Sequence, residues 1–394
     1  MKPSRFFFDR NQAQTTPFPF ALDIERAEGI YLYDKSGKSY MDMISGVAVS
    51  NLGHSHPRVV EAIKNQVDKH MHTMVYGEYA SESADGFARL LTDHLPQPLD
   101  CIYYVNSGTE ANEAALKLAK RATGRTKIVS CLKSYHGSTH GSLSISGNET
   151  KKSAFRPLLP DVHFIEFNNL EHLDKIDERT ACVVLETIQG DAGVRIPSIN
   201  YLKAVRQRCN EVGALMILDE IQTGFGRTGS LFAFEQFDVV PDIFTIAKAM
   251  GGGLPIGGMV SSTELMEKLT SDPMLGHITT FGGNPVSCAA ALASLQEITE
   301  KKLWENAEVK GRELAEKLKH QAFSEIRHRG LLFALDMKST ETVLKLAKLC
   351  LDDGLIGFWF LSQPSSFRLS PPLNITDEEL EKAVKIIRNN LDKL

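Results

Sequence analysis

The chain has 394 residues, of which 42% are hydrophobic and 24% are charged, and this length suits one large α/β domain with a smaller second domain. Its formal net charge of −5 at pH 7 argues against a nucleic-acid partner and against an anionic membrane surface. Six cysteines lie far apart without a C-x-x-C motif, and no apolar run is long enough to span a bilayer, so we expect a cytoplasmic protein without a disulfide framework.

The N-terminal region predicts a hairpin followed by a helix. Residues 30–43 alternate as two strands around a turn, and residues 57–69 have helical character. His54 and His56 precede this helix, but no third metal ligand stands at a recognised spacing. We therefore expect no metal site.

A strand, a turn of small residues and a helix then follow one another. The strand is predicted at 101–105 and the helix at 113–121. The free N–H groups of a helix N-terminus bind anions, Gly108 permits close approach to the backbone, and the Thr109 hydroxyl can donate a hydrogen bond. Residues 107–110 also match an S-x-x-E capping box, and the two interpretations are compatible.

Strands that alternate with helices indicate a mostly parallel sheet. The predicted strands of this region are 127–131, 162–167, 181–186 and 214–219. Glu186 and Asp219 stand at the ends of two of them, and Lys248 follows another apolar run. Ligands of such sheets bind outside the carboxyl ends of the strands, so we expect these three residues at one edge.

Lys248 has apolar neighbours and precedes a glycine-rich turn at 251–253. Loss of water disfavours the ammonium form, and a neutral amine can attack a carbonyl to form a Schiff base. The alternative is a lysine that extends from a strand end to solvent. Residues 224–229 match G-x-G-x-x-G, but they do not follow a strand directly or continue into a helix, which argues against a dinucleotide site.

The C-terminal part predicts a smaller α+β unit. Its helices are expected at 303–320, 341–353 and 377–394, and its strands at 330–337 and 355–360. We place the N-terminal part of the small domain at 1–50, the large domain at 51–285 and the C-terminal small domain at 286–394. Arg368 lies among apolar and proline residues, where a guanidinium needs an anion. Either a nearby acid or a substrate carboxylate would serve.

An anion-binding turn, an apolar-flanked lysine, strand-end acids and an aromatic loop together suit pyridoxal 5′-phosphate (PLP). At these residues the chain resembles the class III, ornithine-type, PLP-dependent aminotransferases of fold type I. The matching segments appear in the order of the family and are 106–120, 134–137, 186–194, 218–229, 247–258, 279–285 and 367–373. The resemblance implies a large domain whose mostly parallel sheet is sandwiched by helices, with a smaller α+β domain.

The resemblance also implies residue roles. Lys248 and Asp219 would be catalytic, with Lys248 bound to the cofactor aldehyde and Asp219 paired with the pyridine nitrogen. The cofactor would be held further by Gly108 and Thr109 at the phosphate, Tyr135 on the ring, Gln222 near the ring hydroxyl, Glu186, and Thr280 reaching the neighbouring subunit of a homodimer. Arg368 and Asp191 would bind substrate.

Two positions depart from the acetylornithine and ornithine members of the family. Ser138 stands where these members carry an arginine that grips a carboxylate, and loss of a bidentate pair weakens that binding mode. Asp191 stands where they carry a glutamate that neutralises the substrate-binding arginine, and its side chain is shorter.

We therefore expect a PLP-dependent aminotransferase that moves an amino group from an amine or ω-amino acid to a 2-oxo acid, 2-oxoglutarate or pyruvate. The alternative is an aminomutase or racemase, because the same fold supports both. A PLP-binding protein without catalysis is a third hypothesis, against which the intact Lys248 and Asp219 argue.

Overall fold

The computed structural model describes residues 4–394, with the side chains of residues 8–394. The strands are β1 Ile24–Glu28, β2 Tyr31–Asp34, β3 Ser39–Asp42, β4 Cys101–Val105, β5 Lys127–Cys131, β6 Val162–Ile165, β7 Thr180–Glu186, β8 Leu215–Asp219, β9 Ile243–Ile246, β10 Gly257–Ser261, β11 Glu325–Arg329, β12 Leu332–Asp336, β13 Leu355–Ile356, β14 Phe358–Trp359 and β15 Ser366–Leu369. Strands β4 to β8 agree with their predicted bounds to within two residues, whereas β1, β11 and β15 were not predicted.

Helices cover the sheets and connect their strands. They are α1 Ser4–Asn11, α2 Ser45–Ala48, α3 Pro57–Lys69, α4 Glu82–Thr92, α5 Gly108–Thr123, α6 His140–Ile145, α7 Glu149–Lys152, α8 Ile199–Val212, α9 Thr263–Met266, α10 Pro285–Glu300, α11 Leu303–Lys317, α12 Thr340–Asp352 and α13 Asp377–Leu391. None of the helices described is both long and apolar enough to cross a membrane.

The central sheet has the order β4-β10-β9-β8-β7-β5-β6. Its strands are parallel except β10, which runs antiparallel to both β4 and β9. The predicted α/β class with a mostly parallel sheet is confirmed. Neighbouring residues on one strand serve opposite faces: Met216 and Leu218 pack in one buried cluster, whereas Ile217 packs in the other, which contains α5. Both faces of the sheet are therefore apolar and covered.

Two smaller sheets are built from the chain ends. One has the order β1-β2-β3-β13, and in it β13 pairs parallel with β3, so that Leu355 lies opposite Met41. The other has the order β11-β12-β15-β14. This pairing brings the N-terminal hairpin and the C-terminal segment together. The domain boundaries after residues 50 and 285 stay predictions.

Local differences from the predicted elements have physical causes. The run 355–360 divides into two short strands at Gly357, because its first half pairs with β3 of one sheet and its second half with β15 of the other. A side chain at Gly357 would overlap the ring of Phe367. Helix α5 begins before residue 113, because the Ser107 hydroxyl caps it by accepting from the Glu110 N–H. Strand β9 ends at Ile246, so Lys248 belongs to the turn that follows the strand.

Candidate active site

A cavity of about 520 Å³ lies beyond the carboxyl ends of the central strands. In the sheet register Glu186 pairs with Asp219, and Asp219 pairs with Thr245. These strand ends thus form one row, as the sequence predicts. The predicted site residues that line the cavity are Gly108, Thr109, Tyr135, Glu186, Asp191, Asp219, Gln222 and Lys248.

Lys248 stands two residues after the end of β9, with a positive φ of 47°. Burial lowers the pKa of its amine to about 8, and the positive charge of Arg368 acts in the same direction. The acids Asp219, Glu186 and Asp191 oppose that effect. A substantial fraction of the amine is therefore neutral near pH 8, as nucleophilic attack on a carbonyl requires.

Asp219 is buried at the end of β8, and three donors hold its carboxylate. The Nδ2 of Asn112 donates to Oδ2 at 3.0 Å, and the N–H of Ile221 donates to Oδ1 at 3.1 Å. The Nδ1 of His136 lies 2.7 Å from Oδ2 and donates to it when Asp219 is ionised, since a carboxylate only accepts. The Thr245 hydroxyl donates to Oδ1 of Asn112 and so orients that amide.

Sequence reasoning did not assign a role to Asn112 or His136. Asn112 could have been recognised from the sequence as a candidate site residue, because it is a polar side chain in the otherwise alanine- and leucine-rich stretch that predicts α5. His136 follows the aromatic Tyr135, but its partner Asp219 lies on a distant strand. Both residues hold the carboxylate that faces the cavity.

Glu186 connects two loops of the cavity wall. Its Oε1 accepts from the N–H of Tyr135 at 3.0 Å, and its Oε2 accepts from the N–H of Gly190 at 2.8 Å. Burial raises the pKa of this carboxyl to about 7, and the nearby charge of Asp219 also raises it. Glu186 therefore positions the main chain at Tyr135 and the loop that carries Asp191.

The start of α5 forms the opposite wall. The Ser107 hydroxyl caps the helix by accepting from the N–H of Glu110, whereas the Glu110 carboxylate accepts from the N–H of Asn106 at 2.6 Å and does not complete the capping box at Ser107. Anion binding at this turn stays a prediction. A Cβ on Gly108 would come within 2.8 Å of Ile221, and one on Gly257 within 2.6 Å of the Ser107 carbonyl oxygen. Ser107, Gly108 and Thr109 line the cavity at the helix start, where the free N–H groups of a helix can bind an anion.

Arg368 and Asp191 lie close together without forming an ion pair. Arg368 on β15 is 5% exposed, its guanidinium lies 4.9 Å from the centre of the Phe360 ring, and its Nε has no hydrogen-bond partner. Asp191 accepts from the N–H of Leu361 at 2.9 Å through Oδ1, and its buried Oδ2 has no partner. Within the described residues no acid pairs with Arg368, which favours a substrate carboxylate as its anion.

The remaining predicted positions lie at the edge of the cavity or outside it. Tyr135 is 42% exposed, and its hydroxyl lies 3.4 Å from the hydroxyl of Ser138. Thr280 is exposed and does not line the cavity of its own chain. The Nε2 of His54, which is partly buried, lies 2.9 Å from Oδ2 of the buried Asp42.

The residues present fit PLP. Asp219 suits a protonated pyridine nitrogen, the start of α5 suits a phosphate, and the buried Nε2 of Gln222 is a donor without a partner that suits the ring hydroxyl. Lys248 suits the aldehyde. When bound, PLP supplies the carbonyl that captures an amino group and a ring that accepts electrons.

Comparison with known proteins agrees with this geometry. The family model described as "Aminotransferase class-III" matches residues 12–391. The chain is a class-III aminotransferase. Its relatives include the acetylornithine aminotransferases of Archaeoglobus fulgidus, 41% identical over 372 residues, and Bacillus subtilis, 38% identical over 374 residues; each alignment covers 93% of this chain and 94% of the relative.

Solved structures share the fold of this class-III aminotransferase over nearly its whole length. A transaminase from a marine Virgibacillus is 27% identical with a TM-score of 0.92, and covers 99% of this chain and 98% of its own. The ornithine aminotransferase of Toxoplasma gondii is 29% identical with a TM-score of 0.91, and covers 99% and 94%. The predicted family, fold type I, aminotransferase activity and PLP cofactor are confirmed.

Proposed function

We propose that this aminotransferase takes an amino group from an amine or ω-amino acid and gives it to a 2-oxo acid, with Lys248 as the covalent anchor and proton carrier. The observation that carries this proposal is the position of the Lys248 amine, which has a lowered pKa, in one cavity with the carboxylate of Asp219. A base with a pKa near the working pH transfers protons efficiently. Asp219 would hold the pyridine nitrogen in its protonated form.

We propose further that the acceptor carries a single carboxylate. Within the described residues Arg368 has no acidic partner. It is not among the residues that line the cavity, but its positive charge acts on Lys248, whereas Glu186, Asp191 and Asp219 supply acids to the cavity wall. A second carboxylate would meet the uncharged hydroxyls of Tyr135 and Ser138 at the mouth. A second substrate carboxylate would be repelled by these acids and would lack a cationic partner, and both effects weaken binding. The charges around the cavity therefore favour pyruvate over 2-oxoglutarate.

A second copy of this chain would complete the site. Several large apolar side chains near Thr280 are exposed: Met71, Met274, Leu275, Ile278 and Phe281. Apolar surface of this kind marks interfaces, and it supports a homodimer in which Thr280 reaches the phosphate bound by the other subunit. All six cysteines are free, which fits a reducing compartment such as the cytoplasm.

A donor and acceptor panel tests the proposal. The holoenzyme is mixed with amines, ω-amino acids and α-amino acids, first alone and then with pyruvate or 2-oxoglutarate. We expect a donor to change the visible absorbance of the cofactor by itself, and pyruvate to restore it. Turnover of a donor to an isomer without any acceptor would instead show an aminomutase or racemase.

Replacing Lys248 tests whether this residue carries the reaction. Lys248→Ala should lose both turnover and the covalent link to PLP, detected by mass spectrometry after borohydride reduction. Lys152→Ala is a matched control, because Lys152 is also buried with a lowered pKa but donates to the carbonyls of Ser144 and Ser146. Retained turnover in Lys248→Ala would contradict the proposal.

A further inference from the structure

Arg227 is a wholly buried arginine whose partners are all uncharged. It is 0% exposed, and its hydrogen-bond acceptors are the carbonyl oxygens of Leu331 and Pro371 and the side-chain oxygen of Asn51. Its Nε has no hydrogen-bond partner in the part of the chain that the structure describes. Burying a charge without a counter-ion costs folding free energy. A functional role for the Arg227 guanidinium would account for its presence at this position.

The two carbonyls that Arg227 binds lie just beyond one end of the strand pair that carries Arg368. In the β12–β15 register Phe333 lies opposite Leu369 and Ala334 opposite Arg368. Two residues further along, Leu331 comes opposite Pro371. Proline has no N–H, so the ladder of hydrogen bonds cannot continue there, and Nη1 of Arg227 supplies the donor for both carbonyls instead.

The same side chain joins this strand pair to two other segments. Arg227 itself lies in the loop that follows β8 and Asp219, and the main chain of Leu331 donates back to its carbonyl at 3.0 Å. The Oδ1 atom of Asn51 accepts from Nη2 of Arg227, and its Nδ2 donates to the carbonyl of Phe225 at 2.9 Å. The main-chain carbonyl of Asn51 accepts from the N–H of Leu373 at 2.8 Å. One arginine thus fixes the end of β15 relative to the strand end that bears Asp219.

We propose that Arg227 is a positioning residue for Arg368: it sets the place of that guanidinium relative to Lys248 and adds uncompensated positive charge behind it, so that the substrate carboxylate binds more tightly. This inference rests on the proposed role of Arg368 as carboxylate anchor. The electrostatic part agrees with the pKa of Arg227, which burial lowers first and the charge of Arg368 lowers further. Two mutually repelling guanidinium groups gain from an anion placed beside one of them.

Equilibrium binding of pyruvate to the PLP form of the holoenzyme tests the inference, since pyruvate has no amino group and binds this form without reacting. In Arg227→Met we expect the Kd from calorimetry to rise about tenfold, equivalent to about 1.4 kcal/mol. The KM of a carboxylate-free amine from the donor panel should change by less than about twofold. Arg227→Lys retains the charge but not the paired donors, and should fall between the parent and Arg227→Met.

Arg125 offers a matched control. Its Nη1 also donates to main-chain carbonyls, those of Thr180, Val212 and Gly213, but at the opposite end of the sheet. Arg125→Met should lower the melting temperature and leave the pyruvate Kd unchanged. If Arg227→Met raises the donor KM in proportion to the pyruvate Kd, or leaves that Kd within about twofold of the parent, the inference is wrong.

Two further variants distinguish an error in the positioning role of Arg227 from an error in the anchor role of Arg368. Should Arg227→Met not fold, Asn51→Ala removes one arm of the same contact, and an unchanged pyruvate Kd in that variant contradicts the inference. Arg368→Gln tests the anchor itself. Pyruvate binding that survives Arg368→Gln overturns the proposed role of Arg368, whereas binding lost there but intact in the Arg227 and Asn51 variants overturns only the positioning role.

Discussion

The Nδ1 atom of His136 lies 2.7 Å from Oδ2 of Asp219, in the buried floor of the cavity. Asn112 donates to the same oxygen and also to the carbonyl of His136, so amide, imidazole and carboxylate hold one another. The arrangement leaves one orientation for the carboxylate. A preorganised carboxylate avoids the reorganisation that a freely rotating one would need when positive charge appears beside it.

Replacing Asp219 should reduce turnover strongly, and replacing its partner His136 should reduce turnover less. His136→Phe removes one donor at similar volume and should lower kcat about tenfold, while Asp219→Ala should lower it about 10²- to 10³-fold. Steady-state kinetics and the Kd of PLP measured by equilibrium dialysis give the two readouts. An unchanged kcat in His136→Phe would show that the imidazole does not assist Asp219.

The lowered pKa of Lys248 predicts how the apoprotein takes up its cofactor. Its pKa is about 8 against an ordinary value of 10.5, and only the neutral amine attacks. The rate of covalent PLP attachment should therefore rise with pH, pass its midpoint near pH 8, and level off above it. Stopped-flow absorbance measures this rate.

The Arg368→Gln variant tests whether the pH midpoint of PLP attachment reflects the pKa of Lys248. Arg368 lowers the pKa of Lys248 by its positive charge, so Arg368→Gln should move the midpoint to higher pH. A rate that still climbs steeply above pH 9.5 in the parent protein would show an ordinary, solvated lysine.

Restoring a cation at position 138 should widen the choice of acceptor. Ser138 is exposed at the cavity mouth, so an arginine has room, and a bidentate pair with a carboxylate supplies about 1.5–3 kcal/mol. Ser138→Arg should lower the KM for 2-oxoglutarate by about tenfold or more and change that for pyruvate little. Ser138→Ala, which adds no charge, is the control, and equal KM values for 2-oxoglutarate in the two variants would contradict the single-carboxylate proposal.

A shared site in a homodimer predicts complementation. Thr280→Glu would place a negative charge at the phosphate of the other subunit, and Lys248→Ala removes the anchor, so each variant should be inactive alone. After subunit exchange, mixed dimers contain one site with both native residues, and about a quarter of the parent activity should return from an equal mixture. An active Thr280→Glu homodimer would show that Thr280 does not reach a phosphate.

Much of the central sheet was predictable because its strands are short apolar runs with clear ends. Cys101–Val105 and Lys127–Cys131 have the predicted bounds, and Glu186 and Asp219 meet because parallel strands end at one edge. The contact of Asn112 with Asp219 was not predictable, because it depends on how α5 packs across the sheet. The contact between Asp191 and Leu361 depends on how the small sheets dock. Both are set by long-range packing, which a local pattern does not encode.

The close approach of Gly257 to Ser107 limits which parts of this site can change in sequence. Strand β10 lies between the strand that leads to the helix start and the strand that leads to Lys248, and any side chain at Gly257 would push against Ser107. The turn at the start of α5 and the turn of Lys248 are thus mechanically joined, and one cannot shift alone. The side chain of Ser138, by contrast, is exposed, and its hydroxyl lies near that of Tyr135. Substrate preference can therefore change through substitution of this side chain while the contacts of the neighbouring Tyr135 main chain with Glu186 and of His136 with Asp219 stay in place.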